Sequence, residues 1–144
     1  MQLQTKCDIQ SYQGLFDIKF GMTIAQIHAI LGNPDSSFKK APTSDSPTDA
    51  YDCLGFHIFY KAPGICNAIE MFSPAQPTFN DRLLIGRPFS ELKLWIQSID
   101  PDVEVDEVGL ISYQLGFGLY APFAGDFPDD PVESAIVFER GYYD

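Results

Sequence analysis

Any chemistry in this 144-residue chain has to come from two histidines, three cysteines and a large excess of carboxylates. His28 falls inside a helical pattern beside its apolar stripe, where a partly exposed histidine ordinarily serves structure. His57 lies in an alternating stretch four residues after Cys53. Four residues of strand span about 13 Å, too far for a histidine to activate a thiol. Cys7, Cys53 and Cys66 are odd in number and lack Cys-x-x-Cys spacing, which argues against a disulfide scaffold and against a zinc ribbon. Cys53 and Cys66 can approach across a hairpin as free, half-buried thiols. Among the acids, VEVDEV (103–108) sets Glu104 and Asp106 on one side of a strand, as paired-carboxylate hydrolysis would need, but such spacing is common. DFPDDPVE (126–133) offers oxygen ligands for calcium without the loop pattern of an EF-hand. No nucleophile elbow, glycine-rich phosphate loop or His-Glu-x-x-His is present in the sequence. The expectation is a chain with no catalytic residue, no metal and no cofactor.

Charge is more informative than motif. The net charge is −11, and from Gln97 onward eleven acids face a single base, Arg140, whereas residues 1–96 hold nine acids and eight bases. A field of one sign repels phosphate backbones and steers a partner of the opposite sign. Nucleic acid is therefore not expected, and a basic protein is. With 45% hydrophobic and 14% aromatic residues the chain can bury a core. Its longest apolar runs are too short to cross a bilayer. The start, MQLQTKCDIQSYQ, lacks the apolar stretch of a secretory signal, so the expected compartment is the cytoplasm.

The elements that must position these groups are expected twice. Ile24, Ile27, Ile30 and Leu31 recur at helical spacing over Thr23 to Leu31, with Thr23 as cap and Gly32-Asn33-Pro34 as stop. Phe89, Leu92, Trp95 and Ile96 do the same over Pro88 to Ser98. Aligned on Gly21 and Gly86, the two stripes coincide. After each helix comes strict alternation: Leu54, Phe56, Ile58 and Tyr60 first, then Ile111, Tyr113, Leu115, Phe117 and Leu119. Gly64 and Gly125 follow as hairpin loops, then NAIEMF (67–72) and SAIVFE (134–139), with Ala68-Ile69 matching Ala135-Ile136. The predicted fold is α+β, a single domain over 1–144. Within it lies an internal repeat, approximately 15–75 and 79–144, of a helix packed on antiparallel strands. Together the copies form one extended, curved antiparallel sheet with both helices on one face. The other face is expected to carry Cys53, Gly55, His57 and Phe59, then Ser112, Gln114, Gly116, Gly118 and Tyr120.

The stretch FGMTIAQIHAILGNP (20–34) resembles the helix-then-hairpin modules of the β-lactamase inhibitor proteins and of small outer-membrane assembly lipoproteins. The resemblance implies a tandem of such modules whose sheet grips a target protein. In general type the chain is also similar to the immunity proteins of bacterial toxin systems, acidic proteins that cover a basic active site. The function so implied is a non-catalytic inhibitor of a cognate toxin or effector. Contacts are expected from His57, Phe59, Tyr113 and Tyr120, with Asp102, Glu104, Asp106, Asp129 and Asp130 supplying the field. The alternative is a regulatory module that binds a small molecule or peptide on the same face. An exposed strand at DRLLIG (81–86) leaves a homodimer open to the chain.

Overall fold

The computed structural model describes residues 7–15, 17–39, 42–43 and 46–143. The first six residues and Asp144, one of the acids counted above, lie outside them. Helix α1 (Ile24–Leu31) is followed by strands β1 (Ser36–Phe38), β2 (Thr48–Tyr51), β3 (Phe56–Lys61) and β4 (Ile65–Phe72). A small hairpin, β5 (Thr78–Phe79) and β6 (Arg82–Leu83), leads to helix α2 (Phe89–Ile99). Strands β7 (Glu104–Asp106), β8 (Gly109–Ser112), β9 (Phe117–Tyr120) and β10 (Ser134–Phe138) complete the chain. Eight strands make one antiparallel sheet in the order β1-β2-β3-β4-β10-β9-β8-β7. The segment 81–86 is therefore not an edge of that sheet, because Arg82–Leu83 pairs with Thr78–Phe79 in a sheet of its own. Among the described residues no helix is long and apolar enough to cross a membrane.

Both helices are amphipathic and pack on the same sheet face. Ile27 and Leu31 of α1 and Phe89, Leu92 and Ile96 of α2 join Phe56, Ile58, Ile69, Phe117 and Val137 in one core. Helix α1 begins in a capping box: the Thr23 hydroxyl accepts from Gln26 N, and the Gln26 side chain accepts from Thr23 N. Its end is set by Gly32, whose φ of 83° suits glycine.

The two helix starts are held by the same set of backbone bonds. Gly21 N donates to Cys66 O, Cys66 N to Met22 O, and Ile24 N to Gly64 O. On the other side Gly86 N donates to Val132 O, Val132 N to Arg87 O, and Phe89 N to Asp130 O. The carbonyl that receives the helix N–H is thus that of Gly64 for α1 and of Asp130, not Gly125, for α2. The helix ends are tied from equivalent positions as well. The Tyr51 hydroxyl donates to the carbonyl of Gly32, which ends α1, and the Ser112 hydroxyl donates to the carboxylate of Asp100, which ends α2 (both 2.7 Å).

Three expectations change here. The runs around Leu54-Gly55-Phe56 and Leu115-Gly116-Phe117 are not single strands but the tight turns that close β2–β3 and β8–β9. Gly55 and Gly116 adopt φ of 83° and 78°, and each donates its N–H to the carbonyl four residues back, Tyr51 and Ser112. Four turn residues reverse the expected facing: Ser112 pairs with Phe117 and points into the core, while Ile111 pairs with Gly118 and faces away from the helices. Gly116 is buried against Tyr12, and Cys53 and Gln114 sit in the turns. The match of Ala68-Ile69 to Ala135-Ile136 is one residue out of step, since Ile69 and Ala135 face the core and Ala68 and Ile136 do not. Finally, Ser36 to Asp49, whose polar composition predicts a loop, contains β1 and the start of β2.

Among the described residues the core holds two carboxylates. Asp49, 2% exposed, accepts from the Tyr60 hydroxyl (2.7 Å) and from Ser37 Oγ (3.1 Å), and meets His28 Nε2 at 2.7 Å. Asp100, 1% exposed, accepts from Ser112 Oγ and from Asp102 N. A buried carboxylate is tolerated only when its oxygens are satisfied. Asp49→Ala strands the Tyr60 hydroxyl in the interior and removes the His28 tie between α1 and β2, and is expected to cost about 3 kcal/mol in urea unfolding. A loss below about 1 kcal/mol contradicts that role. Gly32→Ala and Gly55→Ala test geometry alone, because both positions have φ of 83°. A Cβ at Gly32 meets nothing within 4 Å, whereas one at Gly55 falls 2.1 Å from Phe72 O. The expectation is about 1–2 kcal/mol for the first and clearly more for the second.

Candidate functional site

The register puts a continuous cross-strand row on the helix-free face: Ala50, His57, Glu70, Ile136, Gly118, Ile111, Glu104. One end of this face is closed by the chain itself. Phe59, Ala68 and Phe138 form a second, smaller cluster, with Tyr12 and Tyr142 packed against it. The Tyr142 ring stacks on Phe138 at 6.1 Å, and Tyr143 meets Phe138 edge-on at 5.0 Å. Arg140 lies over the Tyr12 ring at 4.0 Å.

On the second half of the face, a groove of about 580 Å³ is left open. Its floor is Ile111, Gly118 and Ile136; Tyr113, Tyr120 and Tyr143 stand around it, and Glu70, Glu104 and Asp106 rim it. Among the described residues that line it, none is lysine, arginine or histidine. Gly118 lies buried at the base of the depression, where a Cβ would meet Leu110 O at 3.1 Å and the Ile111 and Ile136 side chains at 3.4 and 3.5 Å. Glu104 and Glu70 end the five-residue stretch of the row across the groove, so their backbones are separated by about 19 Å of strand spacing. Apolar floor, aromatic walls and one sign of charge suit an extended cationic group.

Four of the nine residues expected to make contact meet at this groove: Tyr113, Tyr120, Glu104 and Asp106. Tyr113 reaches it from the β8–β9 turn, with its backbone carbonyl accepting from the Tyr12 hydroxyl. His57 and Phe59 sit in the other half of the same face, and Phe59 is only 9% exposed. The His57 ring is enclosed edge-on by Phe38, Phe59 and Phe72 at 5.9, 6.5 and 4.9 Å. Its Nε2 faces Asp52 at 3.1 Å and its Nδ1 faces Glu70 at 3.5 Å. Asp129 and Asp130 lie at the start of α2, on the helix side: Asp129 accepts from Ser90 Oγ, and Asp130 O accepts from Phe89 N. Asp102 follows α2 and does not line the groove. Glu70, Ile136 and Tyr143 escape sequence reasoning because they come from segments distant in sequence, and Ile111 because the β8–β9 turn reverses its expected facing.

Among the described residues, no group of three or more histidine, cysteine or acidic side chains is placed to hold a metal. The three cysteines are unbridged. Cys53 and Cys66 are not neighbours; they lie at opposite ends of β3, which pairs Phe56 with Met71 and Tyr60 with Cys66. Burial pushes the Cys66 thiol up to about 12, and a hydrogen bond with Asp35 raises that of Cys53. Comparison of the chain with models of known protein families, with characterised proteins and with solved structures finds no match.

A raised thiol pKa leaves less thiolate, the reactive form, at a given pH. At pH 8 a disulfide reagent is therefore expected to reach exposed Cys53 first, and more slowly than a small free thiol. Cys66 should react only when the protein unfolds. Modification of Cys66 at the Cys53 rate in native buffer contradicts the packing described.

Proposed function

We propose that the chain is a non-catalytic inhibitor of the immunity type, which binds a cognate effector enzyme of basic surface and neutralises it by covering the active site. One observation carries this reading: the groove on the helix-free face, walled by three tyrosines and rimmed by Glu70, Glu104 and Asp106, with no base among the described lining residues. Tyrosines supply rigid contact area at low entropic cost, and the rim supplies steering and register. The acid-rich second half extends the same field, so encounter with a basic surface is accelerated before contact forms. In this reading the protein works in the cytoplasm of the bacterium that makes the effector. Its two halves are copies of one helix-plus-four-strand module, the plan that the inhibitor resemblance implies. Supporting the duplication are the matched bonds at Gly21 and Gly86, and the matched ties at Gly32 and Asp100.

A second reading, a regulatory module for a small molecule or peptide, draws on the groove's volume of about 580 Å³. That lies within the usual range of roughly 300–1,000 Å³ for ligand sites. Capture of the target at low salt, followed by rate measurement, separates the two. The inhibitor reading predicts that the captured enzyme loses activity at stoichiometric protein. Association should slow by about tenfold or more between about 0.05 and about 0.5 M salt, and Glu104→Lys with Asp106→Lys should lower the on-rate comparably. An association rate indifferent to salt, or an enzyme that stays active when saturated, rules the reading out.

A further inference from the structure

Resting on the reading of this face as the docking surface for a basic partner, the geometry points to what the groove takes: an arginine side chain of the partner, its guanidinium laid over Gly118. The chain carries its own guide to the occupant. His57 and Gly118 hold equivalent places in the two half-sheets, each paired with a member of the Glu70–Ile136 pair at the sheet centre. Two residues on along the strands, Phe59 corresponds to Tyr120 and Phe38 to Asp106. Asp52 and Tyr113 each open the turn that follows β2 and β8.

In the first half this place is filled from within. The His57 ring lies among three phenylalanines, with Asp52 at one nitrogen and Glu70 at the other. In the second half the residue is glycine, so the same kind of enclosure is open to solvent and is bounded by Tyr120, Tyr113, Glu104 and Asp106. A planar nitrogen-bearing group matches the shape of that space, and the exchange of Phe38 for Asp106 and of Ser36 for Glu104 adds two carboxylates on β7. Guanidinium fits better than ammonium, because it stacks flat on aromatic rings and donates to two carboxylate oxygens at once. Its methylene stem would cover Ile111 and Ile136. The chain already uses this pairing elsewhere, with Arg140 over Tyr12 at 4.0 Å and Arg82 over Trp95 at 4.7 Å.

The test is an amide-shift titration of the full chain with the capped tripeptide acetyl-Gly-Arg-Gly-amide, run beside its citrulline counterpart, which is neutral and of the same shape. Saturable shifts centred on Ile111, Gly118 and Ile136 are expected with the arginine peptide. Binding should weaken by about tenfold or more with citrulline, and by as much in Glu104→Gln with Asp106→Asn. Gly118→His rebuilds in the second half what His57 does in the first, and should abolish binding. Gly118 has no left-handed φ, and the nearest obstacle to a Cβ is Leu110 O at 3.1 Å. If that variant fails to fold, the double carboxamide variant alone decides. Equal binding of arginine and citrulline, shifts centred elsewhere, or an unaffected Gly118→His overturns the proposal. Failure here beside successful enzyme inhibition removes only the arginine subsite; peptide binding without inhibition of any captured enzyme removes the inhibitor reading and leaves the subsite standing.

Discussion

The pairing of β4 with β10 governs everything else in this molecule. Met71 sits against Ala135, Glu70 against Ile136 and Ile69 against Val137. Because side chains alternate along a strand, a slip of one residue would turn one of the two strands over, sending Val137 outward if β10 turned, or Ile69 outward and Glu70 beneath the helices if β4 did. The apolar gain of keeping Ile69, Met71 and Val137 fully buried therefore fixes the register. That same register carries Glu70 and Ile136 onto the opposite face and so decides where His57 and Gly118 stand. The core and the groove are two sides of one choice.

Some of this could be read from the chain and some could not, for physical reasons. Both helices were legible, since an apolar stripe with a cap and a glycine or proline boundary is a local signal. Thr23 caps as expected, and Gly21 and Gly86 each donate a backbone N–H ahead of their helix, to the carbonyls of Cys66 and Val132. Strand facing was harder. Alternation assumes an unbroken strand, and the tight turns at Leu54-Gly55 and Leu115-Gly116 break it, so Ile111 and Ser112 exchange faces. Nothing local marks Asp49 and Asp100 as buried, because their carboxylates are satisfied by partners distant in sequence, His28, Tyr60 and Ser112.

At the groove, the exposed members Tyr120, Glu104 and Asp106 were readable from type and spacing. Gly118 was legible as a residue of the helix-free face, and its glycine identity alone does not show the depression. Its neighbours were not visible, since Glu70, Ile136 and Tyr143 come from strands and termini far away in sequence. Asp129 and Asp130 show the limit of charge counting. They belong to the acidic half of the chain, yet they serve the first turn of α2 on the other side of the sheet.

The division between halves gives the face its character. In the first half aromatic rings and an imidazole close the surface over themselves; in the second, a glycine floor and an acidic edge strand leave it open. The charge on β7 also guards that edge against pairing with another strand. Amide hydrogen exchange of the chain alone and bound to its captured enzyme measures the central claim most directly. Protection on binding should concentrate in 104–120 and at Ile136, with α1 and α2 unchanged. Protection centred on the helices, with 104–120 exchanging as in the free protein, would place the partner on the opposite side of the sheet and contradict the account.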